Sequence, residues 1–264
     1  MGFESVRFAD VPLGKVAYYE AGTGEPLLLH HGGEGSKTQY AAVVPHLAEG
    51  IHAISFDQRD VADSFRSADP YTMADLADDS ARLLDALGID KAHILGTSFG
   101  GALALNVAVR HPDRVRTLTV AVAPVTSAAL SESTRRLTEL PREEFVEAFA
   151  RAAFSDEALR DPNTMAFVRR AMSAVVMGQD SHRRAAIETH DVSAQLASIT
   201  APTLLLYGSD DPLVPVEHGQ RLAAGIRDSE LVVFEAARHG LFSEFKERAA
   251  GHVNAFVLAH PLSG

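Results

Sequence analysis

The sequence predicts an α/β protein: a mostly parallel sheet covered by helices on both faces, with one helical insertion. Three observations carry that prediction. Short apolar runs of strand length alternate with helix-length amphipathic patterns up to about residue 125 and again from residue 202, the rhythm of parallel strands joined by helical crossovers. Between about Thr126 and Ser198 strand-like runs vanish, and helical patterns broken near Pro141, Asp156, Pro162 and Gly178 take over. The stretch Ala92–Gly101 packs a short apolar strand, a very tight turn and the start of a small-residue helix into one segment. The expected division is therefore a core of residues 1–125 and 199–264, with an insertion of residues 126–198.

Taken in order, Val6–Val11 and Lys15–Ala21 read as two strands joined through Pro12 and Gly14. Pro26–His31 is a short apolar strand of the buried kind. It runs into Gly32-Gly33-Glu34-Gly35-Ser36, a loop glycine-rich enough to bring backbone N–H groups close to a ligand. A helix over Gln39–Leu47 leads to a strand at His52–Asp57. Met73–Leu87 is an amphipathic helix with apolar residues at 73, 76, 77, 83, 84 and 87, and Gly88 sits where a terminating glycine belongs. Its acidic run Asp75, Asp78 and Asp79 reads as a solvated face. A strand from Ala92, a helix over Ala102–Val109 and a strand over Val115–Pro124 follow. After the insertion come a strand at Pro202–Gly208, a helix at Val216–Ile226, a strand at Glu230–Phe234 and a last helix at Phe242–Leu258.

Composition narrows the function classes. The chain has 264 residues, 46% of them hydrophobic, which suits one compact unit with a large core. A net charge of -11 without any basic run points away from nucleic acid and anionic membranes as partners. Cysteine is absent, so disulfides, thiolate catalysis and cysteine-ligated metals are excluded. The N-terminal residues lack an apolar signal core and no run approaches a membrane span, so the expected location is cytoplasmic. His30 and His31 are neighbours on a strand and face opposite sides, so they do not converge on a metal.

Within the central stretch, Gly96-Thr97-Ser98-Phe99-Gly100 fits G-x-S-x-G. A serine on a strained strand-to-helix turn points its hydroxyl out of the sheet, and the helix behind it aims its N-terminal N–H groups where negative charge develops in acyl transfer. Such a serine is a weak nucleophile until a base and an orienting carboxylate assist it. Two later strand ends offer them: Gly208-Ser209-Asp210-Asp211-Pro212 and Ala236-Ala237-Arg238-His239-Gly240.

These segments, with Leu29–Gly33 and Asp57-Gln58-Arg59, resemble the α/β-hydrolase superfamily, in its serine branch with a helical cap. The resemblance spans the chain except the insertion, which takes the place of the family's variable cap. It implies an eight-stranded, mostly parallel sheet and a hydrolase that needs no cofactor and no metal. It also implies that Ser98 is the nucleophile, His239 the general base and then acid, and Asp211 the orienting carboxylate. Asp211 is preferred to Asp210 on the family's Gly-x-x-Asp spacing from Gly208. The oxyanion hole would be the backbone N–H groups of Gly33 and Phe99. Serine at the elbow argues against the dehalogenase and epoxide hydrolase branches, which place aspartate there. Gly32-Gly33 and Asp57–Arg59 look a little like the proline iminopeptidases, but Glu34 stands where those have proline.

After Arg59 the pattern departs from the family, because Asp60-Val61-Ala62-Asp63-Ser64 replaces a segment with two glycines. Asp60 tolerates a left-handed conformation and Ala62 does so at a cost. Asp57–Asp60 also resembles the aclacinomycin methylesterase-like subgroup. The expected reaction is cleavage of a small-molecule carboxylic ester through an acyl-enzyme on Ser98. The alternative is a lactone or carbon–carbon bond hydrolase on the same triad, which calls for polar or cationic pocket groups; Glu34, Arg59 and His190 are the candidates. Glu34 and Met172 are the candidate substrate contacts, with Met165, Met172 and Met177 on an expected helix Pro162–Met177. A binding protein that merely kept the fold would be expected to lack a triad member, and none is missing. Homodimerisation is left open.

Overall fold

The computed structural model describes residues 2–3, 5–129, 132–173 and 181–262. Among them eight strands form one sheet: β1 (Arg7–Val11), β2 (Gly14–Ala21), β3 (Gly24–His30), β4 (Gly50–Phe56), β5 (Ala92–Thr97), β6 (Val115–Ala121), β7 (Thr203–Gly208) and β8 (Ser229–Phe234). Their order is β1-β2-β4-β3-β5-β6-β7-β8. The β1–β2 and β2–β4 pairs are antiparallel and the remaining pairs parallel.

The period-2 geometry of a strand divides its residues between two cores. On β3, Leu28 joins the cluster built with helices α1 (Met73–Ala86) and α2 (Phe99–Arg110), whereas Leu27 and Leu29 join the opposite one. Both faces of the parallel strands are thus apolar, as their unbroken hydrophobic runs require. Helix α1 opens on a capping box, with the Thr72 hydroxyl and the Asp75 carboxylate each bonding the other's backbone N–H. It ends at Gly88, whose φ of 68° only glycine adopts cheaply.

Between β6 and β7 lie α3 (Glu132–Glu139), α4 (Arg142–Ala153), α5 (Asp156–Arg160), α6 (Pro162–Ser173) and α7 (His182–Glu188). Breaks fall at Pro141, at Ser155, which caps α5, and at Pro162. Helix α6 runs to Ser173; Val175, Val176, Met177 and Gly178 lie outside the described residues. The segment carries its own small core of Ala150, Ala153, Phe154, Val168 and Met172. Helices α8 (Glu217–Gly225), α9 (Leu241–Glu244) and α10 (Lys246–Leu258) complete the chain, and Ala249, Ala250, Val253 and Val257 of α10 cover the second sheet face. Among the described residues no helix is long and apolar enough to cross a membrane.

Four expectations need correction. Residues 39–47 form turns and a single 3-10 turn at Val44–His46 instead of an α-helix. Pro45 has no N–H to give, and the Tyr40 hydroxyl is committed to the His30 carbonyl and the Thr97 hydroxyl, 2.9 and 2.8 Å away. The last helix is two, divided at Phe245. Strand β6 stops at Ala121, because Val122 takes a φ of 43° that no strand continues through. Asp79 is buried, not solvated: Arg59 grips it with two bonds of 2.8 Å.

Candidate active site

Strand β5 ends in the turn expected of G-x-S-x-G. Ser98 has φ 56° and ψ -119°, a conformation rare for any residue with a side chain. The flanking glycines make it attainable. A Cβ on Gly96 would lie 2.0 Å from the Gly100 carbonyl oxygen, and one on Gly100 would lie 2.1 Å from the His30 carbonyl oxygen. The Ser98 N–H donates to Ala121 of β6, while its carbonyl accepts from Gly101 and Ala102 in the first turn of α2. Those bonds fix the residue from both sides and leave Oγ facing the cavity.

The loop after β8 brings in His239, whose Nε2 stands 2.9 Å from Ser98 Oγ. Its Nδ1 stands 2.7 Å from Asp211 Oδ2, at the end of β7. The other carboxylate oxygen of Asp211 accepts the N–H groups of Leu213 and Val214, at 2.8 and 3.0 Å. With Asp211 anchored as an acceptor, His239 carries its proton on Nδ1 and turns a bare Nε2 lone pair to the serine. Both side chains are buried. Asp210 is exposed and bonded to Ser209, so it takes no part in this chain of contacts.

Gly33 and Phe99 both line the same cavity as Ser98 and His239. Phe99 is the first residue of α2, so its N–H has no carbonyl partner within the helix. The cavity measures about 760 Å³. Beside the serine its walls are apolar, with Phe149 edge-on to the His239 ring at 6.2 Å and Leu213, Val214 and Phe242 close by. Toward α3–α7 charged groups of both signs enter: Glu34, Glu139 and Glu188 with Arg135, Arg142 and Arg184. Glu34 meets Arg142 of α4 at 2.7 Å, so it faces the helical segment, and Met172 also lines the cavity.

The cationic candidates named from the sequence lie elsewhere. Arg59 is spent on Asp79, and buried His190 donates to the Pro124 carbonyl while accepting from Asn106. Arg135, Arg142, Arg184 and the neighbouring Arg183 carry no sequence signal beyond lying on amphipathic helices; only the fold says which of them turns inward. Arg183 is fully buried, its guanidinium 4.3 Å from the centre of the Phe99 ring. Nη1 donates to Gln58 Oε1 at 3.1 Å, and the Tyr71 hydroxyl lies close by. Burial pulls the Arg183 pKa below the usual arginine value. His30 and His31 turn their rings to different partners, Leu95 and Ser80 for the first, Gly32 and Gln58 for the second. Among the described residues no three His, Asp or Glu side chains are grouped as a metal would need.

A family model for the alpha/beta hydrolase fold matches residues 25–246. Over 243 residues, 83% of each chain, the sequence is 31% identical to a 2-hydroxy-6-oxo-6-phenylhexa-2,4-dienoate hydrolase of Burkholderia cepacia. It is 29% identical to a 2-hydroxymuconate semialdehyde hydrolase of Pseudomonas sp. strain CF600, covering 90% of this chain and 89% of the other. Among solved structures, a hydrolase from Pseudomonas aeruginosa PA01 superposes with a TM-score of 0.85 at 27% identity, over 96% of this chain and 98% of that one.

Proposed function

Because this chain belongs to the α/β-hydrolase family and is a hydrolase, we propose that it cleaves a carbon–carbon bond beside a ketone in a carboxylate-bearing substrate, using Ser98, His239 and Asp211. The observation that carries this reading is the chain of contacts from Ser98 Oγ to His239 Nε2 and from His239 Nδ1 to Asp211, at 2.9 and 2.7 Å. A 2-hydroxy-6-oxo-dienoate contains no ester, amide or lactone, so a hydrolase acting on such a compound must break a carbon–carbon bond. The relatives therefore favour this reading over ester cleavage. The cavity wall favours it too: Arg135, Arg142 and Arg184 place guanidinium groups there, which suits a substrate carboxylate.

In this mechanism Ser98 Oγ bonds to the ketone carbon while His239 Nε2 takes the hydroxyl proton, and the carbonyl electron pair becomes an oxyanion held by the Gly33 and Phe99 N–H groups. Before the attack the 2-hydroxyl proton of the dienoate moves to the carbon next to the ketone, giving the 2-keto-3-enoate. When the oxyanion collapses, the carbon–carbon bond pair leaves into that enone as a delocalised dienolate, and the proton on His239 passes to the dienolate. A water deprotonated by His239 then attacks the acyl group on Ser98, releasing a carboxylic acid and the free hydroxyl. Residues 126–198 act as a cap that excludes bulk water and supplies the charged wall. No cofactor enters.

The test follows bleaching of 2-hydroxy-6-oxo-6-phenylhexa-2,4-dienoate, beside p-nitrophenyl acetate and a γ-lactone. The expected result is fastest turnover of the dienoate, abolished by Ser98→Ala. Arg142→Leu, at a residue that lines the cavity, should depress kcat/KM for the dienoate far more than for the uncharged ester. Rapid ester or lactone turnover with no bleaching would sink the carbon–carbon assignment while leaving the triad intact.

A further inference from the structure

The Gly33 N–H sits in a loop of glycines that have no rigidity of their own, yet an oxyanion donor has to be aimed within tenths of an ångström. The same peptide plane that carries the Gly33 N–H carries the Gly32 carbonyl, pointing the opposite way, so whatever holds that oxygen aims the N–H. Two donors hold it: His31 Nδ1–H at 2.8 Å and the Gly35 N–H at 3.1 Å. The preceding peptide is held as well, with the Gly32 N–H donating to Gln39 Oε1 at 2.9 Å.

The imidazole of His31 is in turn gripped by one residue. The Gln58 backbone N–H donates to His31 Nε2 at 3.2 Å, and the Gln58 side-chain Nε2 donates to the His31 carbonyl at 2.9 Å. Oε1 of Gln58 accepts from Arg183 of α7 at 3.1 Å. His31 and Gln58 are both buried. Burial, with Arg183 next in effect, keeps the His31 pKa well below the usual histidine value, so the ring stays neutral and Nε2 stays an acceptor.

We infer that His31 and Gln58 are positioning residues that aim the Gly33 N–H at the oxyanion, with Gln58 tying that aim to Arg183 on the helical segment. The inference rests on the reading of Ser98 as nucleophile and Gly33 as oxyanion donor. A hydrogen-bonded carbonyl also polarises its own peptide, which makes the N–H on the far side a stronger donor.

The experiment compares the full chain with Gln58→Met and Gln58→Glu, reading kcat and KM for p-nitrophenyl acetate and the Ki of an aryl trifluoromethyl ketone. That ketone forms a tetrahedral oxyanion on an active serine. Methionine keeps the volume and makes neither side-chain bond; glutamate keeps the acceptor facing Arg183 but cannot donate to the His31 carbonyl. Since removing an oxyanion donor outright costs about 10²–10³ in rate, misaiming one should cost roughly 10- to 100-fold. Both variants should lose that factor in kcat and the same factor in Ki, with KM within about threefold. Glutamate restoring wild-type kcat and Ki would show that only the Arg183 contact matters and overturn the inference. So would unchanged Ki in both variants, or a loss confined to KM. If the wild type itself is not inhibited, the triad reading falls and takes this inference with it. Should the methionine variant fail to fold, the glutamate variant decides alone.

Discussion

Replacing Asp211 by asparagine changes one group, and the surrounding bonds dictate how the new amide sits. The Leu213 and Val214 N–H groups reach Asp211 Oδ1 at 2.8 and 3.0 Å. Both are donors, so they select the oxygen of the new amide and force its NH2 toward His239 Nδ1, where Oδ2 now stands at 2.7 Å. To meet a donor there, His239 must expose a lone pair on Nδ1 and move its proton to Nε2. That proton then faces Ser98 Oγ, 2.9 Å away, and the base can no longer accept. In a serine protease, the corresponding substitution lowers kcat by about 10⁴, equivalent to roughly 5 kcal/mol of barrier. We expect the same order for Asp211→Asn with p-nitrophenyl acetate. Asp211→Ala, which leaves the imidazole free to choose its tautomer, should lose no more. An asparagine variant within tenfold of wild type, or clearly faster than the alanine variant, would refute the argument from the two backbone donors.

Two further outcomes concern stability. Ala62 holds a φ of 36°, where a Cβ is strained; Ala62→Gly should raise the urea midpoint by about 0.5 kcal/mol of stability, net of glycine's entropy cost, and a lowered midpoint would count against it. Burial holds His30 at a pKa of about 4, below its ordinary 6.5. The unfolded chain therefore takes up a proton that the folded one refuses. Stability should be intact above pH 6.5 and fall as pH drops toward 4, by on the order of 3 kcal/mol from this residue. A midpoint flat over that window, or a slope unchanged in His30→Asn, would contradict the assignment.

The parts of the fold that the chain announces are those decided locally. Gly96 and Gly100 mark the elbow because each is the residue type that its own backbone clearance demands. Asp60 and Ala62 foretold left-handed positions, and both have them, at φ 65° and 36°. Asp211 and His239 were legible because each lies just beyond a strand, and parallel strands end at one edge. Readings failed where a distant residue decides. Residues 39–47 have a helical pattern but answer to Tyr40's bonds with His30 and Thr97. Asp79 belongs to an acidic run yet is claimed by Arg59 from another loop. Arg142 and Arg184 reach the cavity through helix orientations that no periodicity within α4 or α7 encodes.

Ser98 comes before the excursion between β6 and β7, whereas Asp211 and His239 come after it. The sheet closes across that gap without a shift, as Leu118–Ala121 pair in step with Thr203–Leu206. Strand registry thus brings Ser98, Asp211 and His239 to one edge of the sheet, and the intervening stretch braces the histidine loop from above: Phe149 lies edge-on to the His239 ring and the Ala153 carbonyl accepts the Gly240 N–H. Changes confined to α4 and α6 would therefore reshape the cavity wall at Arg142, Phe149 and Met172 and leave the pairing of Leu118–Ala121 with Thr203–Leu206 as it is.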